Sequence, residues 1–479
     1  MAPHTTNMVP SRLLMWQRVR EYAVPPSMIE TATARRAVGD WAGACAAARI
    51  NVDLDLRAVR DRHGTDLVTR LRSDLRRLAP DLLRWHMPRI APDGRLRPGL
   101  TISLARYGSS GATPLHLVVR TPPTRADAGQ WMSLALWEGQ GSEAAGRHPH
   151  PYLHPHPHPD RRFRLDLHRH LWDAGRSREL VMRCGAVGEP LGNSPWATER
   201  WAAEAEVLLR AEGRPRGAFT VRTGARSHAV LELVAPDDSH APTCRPLRET
   251  LSPQETAVLP LLPEAAARVL PDLELLRAGL VAVERLHPLV ATALAAAPGS
   301  ESMAGPAAEP ADPHRVECRG EVHRIALRDG TLTAIDHDPA QLRREELLVA
   351  LGGPPLPCLR AIDAAHRSPE ALPAVRERLL HGDVTGALAV LEGLLGPGAV
   401  LRDGPLREEL RAAAARRVDH GLFRSGLVDT HPAAGVAESV SGTGGGETAH
   451  RPRLDRRVPV DMRRKRSSQG RPRTAHFAL

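Results

Sequence analysis

Apolar positions recur at helical spacing through the first 95 residues and then switch to a period of two. Leu67, Leu71, Leu75 and Leu78 fall at i, i+4, i+8 and i+11, one face of a helix that Thr65 starts. Earlier in the chain, Ser27 and Glu30 have capping-box spacing, in which hydroxyl and carboxylate each satisfy an N–H of the first turn. A helix is expected from there to about Val38, ending at Gly39. Asp40 is the expected N-cap of the next helix, Trp41 to Ile50, and Leu54 to His63 reads as another that stops at Gly64.

From Leu100 the alternation is that of strands. Leu100, Ile102 and Leu104 alternate with Thr101 and Ser103, Met132, Leu134 and Leu136 with Ser133 and Ala135, and Phe163, Leu165 and Leu167 repeat the pattern. Leu115 to Thr121 is a short β-rich run. A helix is expected over about 195–212, capped by Ser194 with Pro195 at its first position. Gly217 to Arg222 and Ala229 to Ala235 then read as a hairpin around Gly224. The product is a mostly antiparallel sheet with one solvated face.

Helical signals return at Ser252-Pro253-Gln254-Glu255, a second capping box, and continue to about Ala297. Residues 298–314 have linker composition. Glu321 to Leu327 and Thr331 to Asp336 flank Arg328-Asp329-Gly330, a hairpin around a D-G turn. Helices are expected near 339–351, 356–366, 369–380, 384–395 and 405–420. From Gly426 onward Gly, Ser, Thr, Pro and Arg dominate, a composition expected to be disordered. The fold class is therefore α+β. A body over 11–297 is helical over 11–95, β-rich over 96–240 and helical over 250–297. A linker, 298–314, joins it to a β-hairpin plus helices at 315–424, and a disordered basic tail covers 425–479.

One local pattern occurs twice. Gly39-Asp40-Trp41-Ala42-Gly43-Ala44-Cys45-Ala46 and Gly382-Asp383-Val384-Thr385-Gly386-Ala387-Leu388-Ala389 share G-D-x-x-G-A-x-A. Gly ends one helix in a left-handed conformation, Asp caps the next, and small residues let the two approach. The pattern resembles the mid-repeat junction of tetratricopeptide repeats. The likeness covers one hairpin at each end of the chain, and no copies follow at a period of about 34 residues, so an extended array is not implied. It implies a helical unit that binds peptides; two convergent αα-hairpins are the plainer reading of the residues by themselves.

Charge changes the picture at one end only. Residues 451–479 hold ten basic side chains against Asp455 and Asp461, so this segment carries +8 of the formal +10. The preceding 450 residues are close to neutral, with 55 basic and 53 acidic groups, and the high pI does not mark a basic fold. Arg456, Arg457, Arg463, Arg464, Lys465 and Arg466 are the candidate nucleic-acid contacts, weak and without sequence preference, because such contacts act through counterion release. Phe477 is the one aromatic residue there, which leaves little stacking. A solubilising extension is the plainer reading of the same residues.

The remaining chemistry is sparse. Aromatic residues make up 3% of the chain, so Ala and Leu must fill most of the interior. Five cysteines, odd in number, far apart and without a C-x-x-C pair, suggest neither a disulfide framework nor a zinc knuckle, and reduced thiols in a cytosol are expected. Residues 1–10 lack the apolar core of a secretory signal. The longest apolar stretch, Leu276 to Ala297, is interrupted by Arg277, Glu284, Arg285, His287 and Pro288, so no membrane contact is expected.

His148, His150, His154, His156 and His158 alternate largely with proline, which forces an extended backbone and provides no closed metal shell. His168 and His170 lie one strand step apart and can act as two metal ligands, though a solvated strand edge explains them as well. Asp336-His337-Asp338 reads as an acid–base cluster or, with Pro339, as a helix start. Trp85, Trp131, Trp137, Trp172, Trp196 and Trp201 suit packing better than ligand stacking. Gly108-Ser109-Ser110-Gly111 is a turn and not a nucleophile elbow, and the glycines at 442 and 444–446 lack the strand and helix of a phosphate loop. No catalytic residue, cofactor site or metal site is assigned. The expectation is a cytoplasmic, non-catalytic adaptor that contacts other proteins through helical hairpins. The alternatives are a nucleic-acid-associated protein acting through its tail and an enzyme with a site in the β-rich part.

Overall fold

The computed structural model describes residues 10–424, except 109–113, 127, 140–157, 186–193, 215, 226, 235–240, 250, 297–314, 319, 329–330, 335, 355, 361, 363–370 and 396–404. The histidine run up to His156, the 298–314 segment and the Arg-rich 425–479 segment thus lie outside the described residues. The fold is α+β. Helices α1 (Ser11–Tyr22), α2 (Pro26–Ala37) and α3 (Trp41–Ala47) open the chain. The Ser27–Glu30 capping box does not form. Pro26 occupies the first helical turn and Pro25 is the extended N-cap, so α2 starts before Ser27. Asp40 caps α3 as expected, accepting from Gly43 N at 2.8 Å, and Gly39 has φ 78°.

The expected continuation of α3 to Ile50 is overturned. The helix stops at Ala47, Arg49 takes φ 56°, and β1 (Ile50–Asp53) pairs in parallel with β6 (Met132–Trp137) through Ile50↔Met132. The branched side chains of Ile50 and Val52 suit a strand better than a helix. Asp55, not Leu54, then sets the start of α4 (Leu56–His63), accepting from Arg57 N and Ala58 N. Helix α5 (Thr65–Arg77) buries Leu67, Leu71 and Leu75 on one face, and α6 (Pro80–His86) adds Leu82, Leu83 and Trp85.

A short hairpin, β2 (Arg89–Ile90) and β3 (Arg95–Leu96), precedes β4 (Thr101–Tyr107) and β5 (Leu115–Arg120). The main sheet has the order β1-β6-β5-β4, antiparallel except at β1. Its expected solvated face is not found at β4, where six of the seven residues are buried and only Arg106 is exposed. The polar members of that strand are satisfied internally: Ser103 Oγ lies 2.8 Å from His116 Nδ1. Phe163 to Leu167 is not a strand. Asp160 N and Asp166 N donate to Thr101 O and Ser103 O, the carbonyls of β4, and turns separate these contacts. Asp160 and Asp166 pair with Arg162 and Arg164, and Phe163 and Leu165 remain buried.

Helix α7 (Leu180–Cys184) follows, then α8 (Trp201–Ala211). Residues 195–200 do not join α8: Pro195 O accepts from Val269 N, and Ala197 N donates to Ala267 O. The expected hairpin is present as β7 (Gly217–Arg222) and β8 (His228–Val234), and β9 (Thr243–Pro246) extends it. Trp201, Ala205, Leu208 and Leu209 of α8 pack on Phe219, Val221 and Leu233 as a second core. The Ser252–Glu255 capping box forms in both directions and opens α9 (Pro253–Val258). Helices α10 (Glu264–Ala267), α11 (Pro271–Arg277) and α12 (Pro288–Ala295) complete this part.

Strands β10 (Arg315–Cys318), β11 (Glu321–Arg328) and β12 (Thr331–Ala334) make an antiparallel sheet, with Arg328 opposite Thr331 as the D-G turn requires. Asp338 caps α13 (Pro339–Ala350). Helices α14 (Ala371–Leu380), α15 (Val384–Leu395) and α16 (Pro405–Arg424) share Val375, Leu379, Ala387, Leu391 and Ala413. The second G-D-x-x-G-A copy behaves like the first: Gly382 has φ 81° and Asp383 accepts from Gly386 N. The two copies are also linked to each other. Arg49, just past α3, donates to His381 O at 2.7 Å and lies 3.5 Å from Asp383. Arg424 closes on Asp53 of β1 with two hydrogen bonds of 2.7 Å. No described helix is long and apolar enough to cross a membrane.

Candidate functional site

A cleft of about 480 Å3 lies between α1, the α6–β3 turn and the segment leading into α11. This volume suits a small molecule. Its floor is apolar: Met15 and Trp16 of α1, Met87, Ile102 of β4, and Phe163 and Leu165 of the turn segment. Its polar groups are mostly guanidinium, from Arg12, Arg20, Arg89, Arg97, Arg222 and Arg268. They come from four separate stretches of the chain, which is why no spacing in the sequence announces them.

Three of these cations are neutralised in place. Arg20 makes a bidentate pair with Asp272, Arg12 pairs with Glu274, and Arg222 lies 3.6 Å from Glu264. Arg89 donates to the carbonyls of Arg84 and Gly94, and Arg268 sits 4.4 Å from the centroid of the Trp196 ring. Arg97, like Arg89, has a buried Nε without a hydrogen-bond partner among the described residues. Burial, with the nearby charges of Arg162 and Arg222, brings its guanidinium below the ordinary range. Glu264 acts on Arg97 and Arg268 as well as on Arg222, so the cleft sets several guanidinium groups against one lining carboxylate over an apolar floor. His86 adds a neutral imidazole: burial first, then Arg20 and His287, keeps it well below the usual histidine range, and its Nε2 is buried without a partner.

The histidines marked in the sequence sit elsewhere and are not solvated. His168 precedes and His170 lies within a short 3₁₀ turn, not a strand edge, and both are buried. His168 Nδ1 lies 2.9 Å from Arg164 O and its Nε2 3.2 Å from Glu204, which also holds Arg183 in two hydrogen bonds of 2.6 Å. His170 Nε2 faces Cys184 Sγ at 3.6 Å. Burial lowers His170 and pushes the Cys184 thiol up to about 12, so this pair is neutral and holds no activated thiolate. Of the tryptophans, Trp85 and Trp172 are core, and Trp196 meets Trp201 edge-on at 6.4 Å. Trp16, which lines the cleft, was not singled out by the sequence.

The 336–338 segment divides its two roles. Asp338 caps α13, while His337 turns inward, where its ring nitrogen, Cys318 Sγ and Cys358 Sγ all lie within 4.8 Å of one another. Two of the five cysteines that look isolated along the chain are therefore neighbours in space. Arg456, Arg457, Arg463, Arg464, Lys465 and Arg466 lie outside the described residues. Searches of protein-family models, of curated proteins and of solved structures find no match to this chain.

Proposed function

We propose that this protein is a non-catalytic binding protein whose cleft takes an anionic small molecule with an apolar body. The observation that carries the reading is Arg97, half-buried in the cleft with Met15, Trp16 and Phe163, whose buried Nε has no hydrogen-bond partner among the described residues. An anionic head placed between Arg97 and Arg268 satisfies donors that the fold leaves open, and the floor covers an alkyl or aromatic portion. Arg12, Arg20 and Arg222 of the cleft are held in structural ion pairs, which supports recognition over chemistry.

The test is calorimetric titration of the full chain with octyl sulfate below its micelle concentration and with octanol as the neutral control. Saturable binding of the sulfate, weak binding of the alcohol, and a loss of about tenfold in affinity on Arg97→Ala are expected. Equal binding of both compounds, or an Arg97→Ala variant that binds as the parent does, removes the reading.

A second reading, an adaptor for another protein, is favoured by α13. Leu347, Leu348 and Leu351 on its last turns are 60%, 54% and 87% exposed. Leu347→Glu with Leu351→Glu should abolish partner capture without changing thermal stability. Capture that survives the pair of changes counts against this surface.

A further inference from the structure

We propose that Cys318, His323, His337 and Cys358 form a tetrahedral zinc site that holds β10, β11 and the two ends of α13 together. The argument begins with strand register. In β10 and β11, Cys318 is opposite Glu321 and Val316 is opposite His323. Opposed residues share a face, so Cys318 and His323 project to the same side of the sheet. Gly320, at φ 83°, makes the tight turn that brings the second strand back. His337 follows β12 directly and precedes the Asp338 cap, while Cys358 enters from the helical turn beyond α13.

The side chains converge where water is excluded. Cys318, His337 and Cys358 are 1%, 7% and 0% exposed, with ligand atoms all within 4.8 Å of one another. Zinc bond lengths place the donors of a tetrahedral shell about 3.3 to 3.8 Å apart, a small rotation away. His323 supplies the fourth corner. It is buried, its ring centroid lies 4.3 Å from that of His337, and its Nδ1 has no hydrogen-bond partner among the described residues. Behind the shell, Glu345 Oε2 stands 4.0 Å from His337 Nε2, where a carboxylate orients a ligand imidazole.

Among the described residues, Val316, Ala334 and Leu356 pack around these groups. Two thiolates and two imidazoles in tetrahedral array select zinc among the common divalent ions, and a shell of four protein donors leaves no open position for a substrate. The role is therefore structural.

The test uses the full-length untagged chain. Elemental analysis after dialysis should find one zinc per chain, lost in Cys318→Ser with Cys358→Ser. It should be retained when His148, His150, His154, His156 and His158 are all changed to alanine, which separates this site from metal collected by that run. Replacing zinc with cobalt(II) should give the visible bands of a tetrahedral ion and a thiolate charge-transfer band. His323→Ala should alter the former and keep the latter. The cobalt spectrum of the unchanged protein decides the matter even if the cysteine variant does not fold. A spectrum without thiolate charge transfer, a zinc content indifferent to the cysteines, or a Cys318–Cys358 disulfide in the intact mass overturns the proposal.

Discussion

Arg20 and Asp272 face each other through Nε to Oδ1 at 2.9 Å and Nη2 to Oδ2 at 2.7 Å, with side chains 2% and 0% exposed. The pair joins α1 to α11 across 252 residues. Its spare capacity is also used, since Arg20 Nη1 donates to Trp85 O and Trp85 Nε1 donates to Asp272 Oδ1. Removing the acid alone strands a buried cation. Asp272→Asn is expected to cost about 3 to 5 kcal/mol in chemical denaturation, and Arg20→Met combined with Asp272→Leu considerably less. A single variant within about 1 kcal/mol of the parent contradicts this account.

Glu204 gives the fold an acid limit. Burial pushes its carboxyl up, but hydrogen bonds from Arg183 and His168 outweigh that and bring it down to about 2. A free glutamate titrates near 4.3, so the contribution is complete above that pH and is lost as the pH falls toward 2. Its size at neutral pH is about 3 kcal/mol. Glu204→Gln should lower stability at pH 7 and flatten the dependence of the urea midpoint between about pH 4 and 2. An equally steep dependence in the variant assigns the transition to other carboxylates.

The two glycines of the repeated motif should respond differently to alanine. Both have positive φ, 78° at Gly39 and 81° at Gly382, which costs about 1 kcal/mol for any side chain. At Gly39 nothing lies within 4 Å of an added Cβ, whereas at Gly382 it meets Gly129 O at 2.3 Å. Gly39→Ala should cost about 1 kcal/mol; Gly382→Ala should cost more and detach the α14–α15 hairpin from Arg49. Equal melting temperatures for the two variants would show that the 382–129 contact is absent in solution.

Cys244 is the thiol to label. It is half-buried, while Cys45 and Cys184 are buried and their thiols are pushed up to about 12, mainly by burial. Maleimide at neutral pH should modify Cys244 first and reach Cys45 and Cys184 only after denaturant is added. Fast native labelling at Cys45 is the opposing result.

The nucleic-acid reading depends wholly on residues 451–479. Deleting them should abolish any DNA or RNA affinity and its salt dependence, measured by fluorescence anisotropy across ionic strength. Binding that survives the deletion assigns the interaction to another surface.

Local chemistry was the part of the fold that the sequence revealed. Asp40, Asp383 and the Ser252–Glu255 box act over three residues, so their spacing is the interaction itself. The 328–331 hairpin is legible for the same reason. Where two local signals competed, the stiffer one won: Pro26 fixed the start of α2 over Ser27. What the sequence hid is tertiary. Ile50 to Asp53 extend because β6 is there to pair with them, and Phe163 to Leu167 turn because the open carbonyls of β4 capture Asp160 and Asp166. The cleft was illegible because its arginines come from stretches that meet only in three dimensions. Cys318 and Cys358 looked unrelated because a hairpin and a helix separate them.

The Arg424–Asp53 contact spans 371 residues. On the ribosome, β1 therefore emerges long before Arg424 of α16 has been translated. Every strand of the main sheet is made before this contact can close, and any product terminated before residue 424 never acquires the clasp.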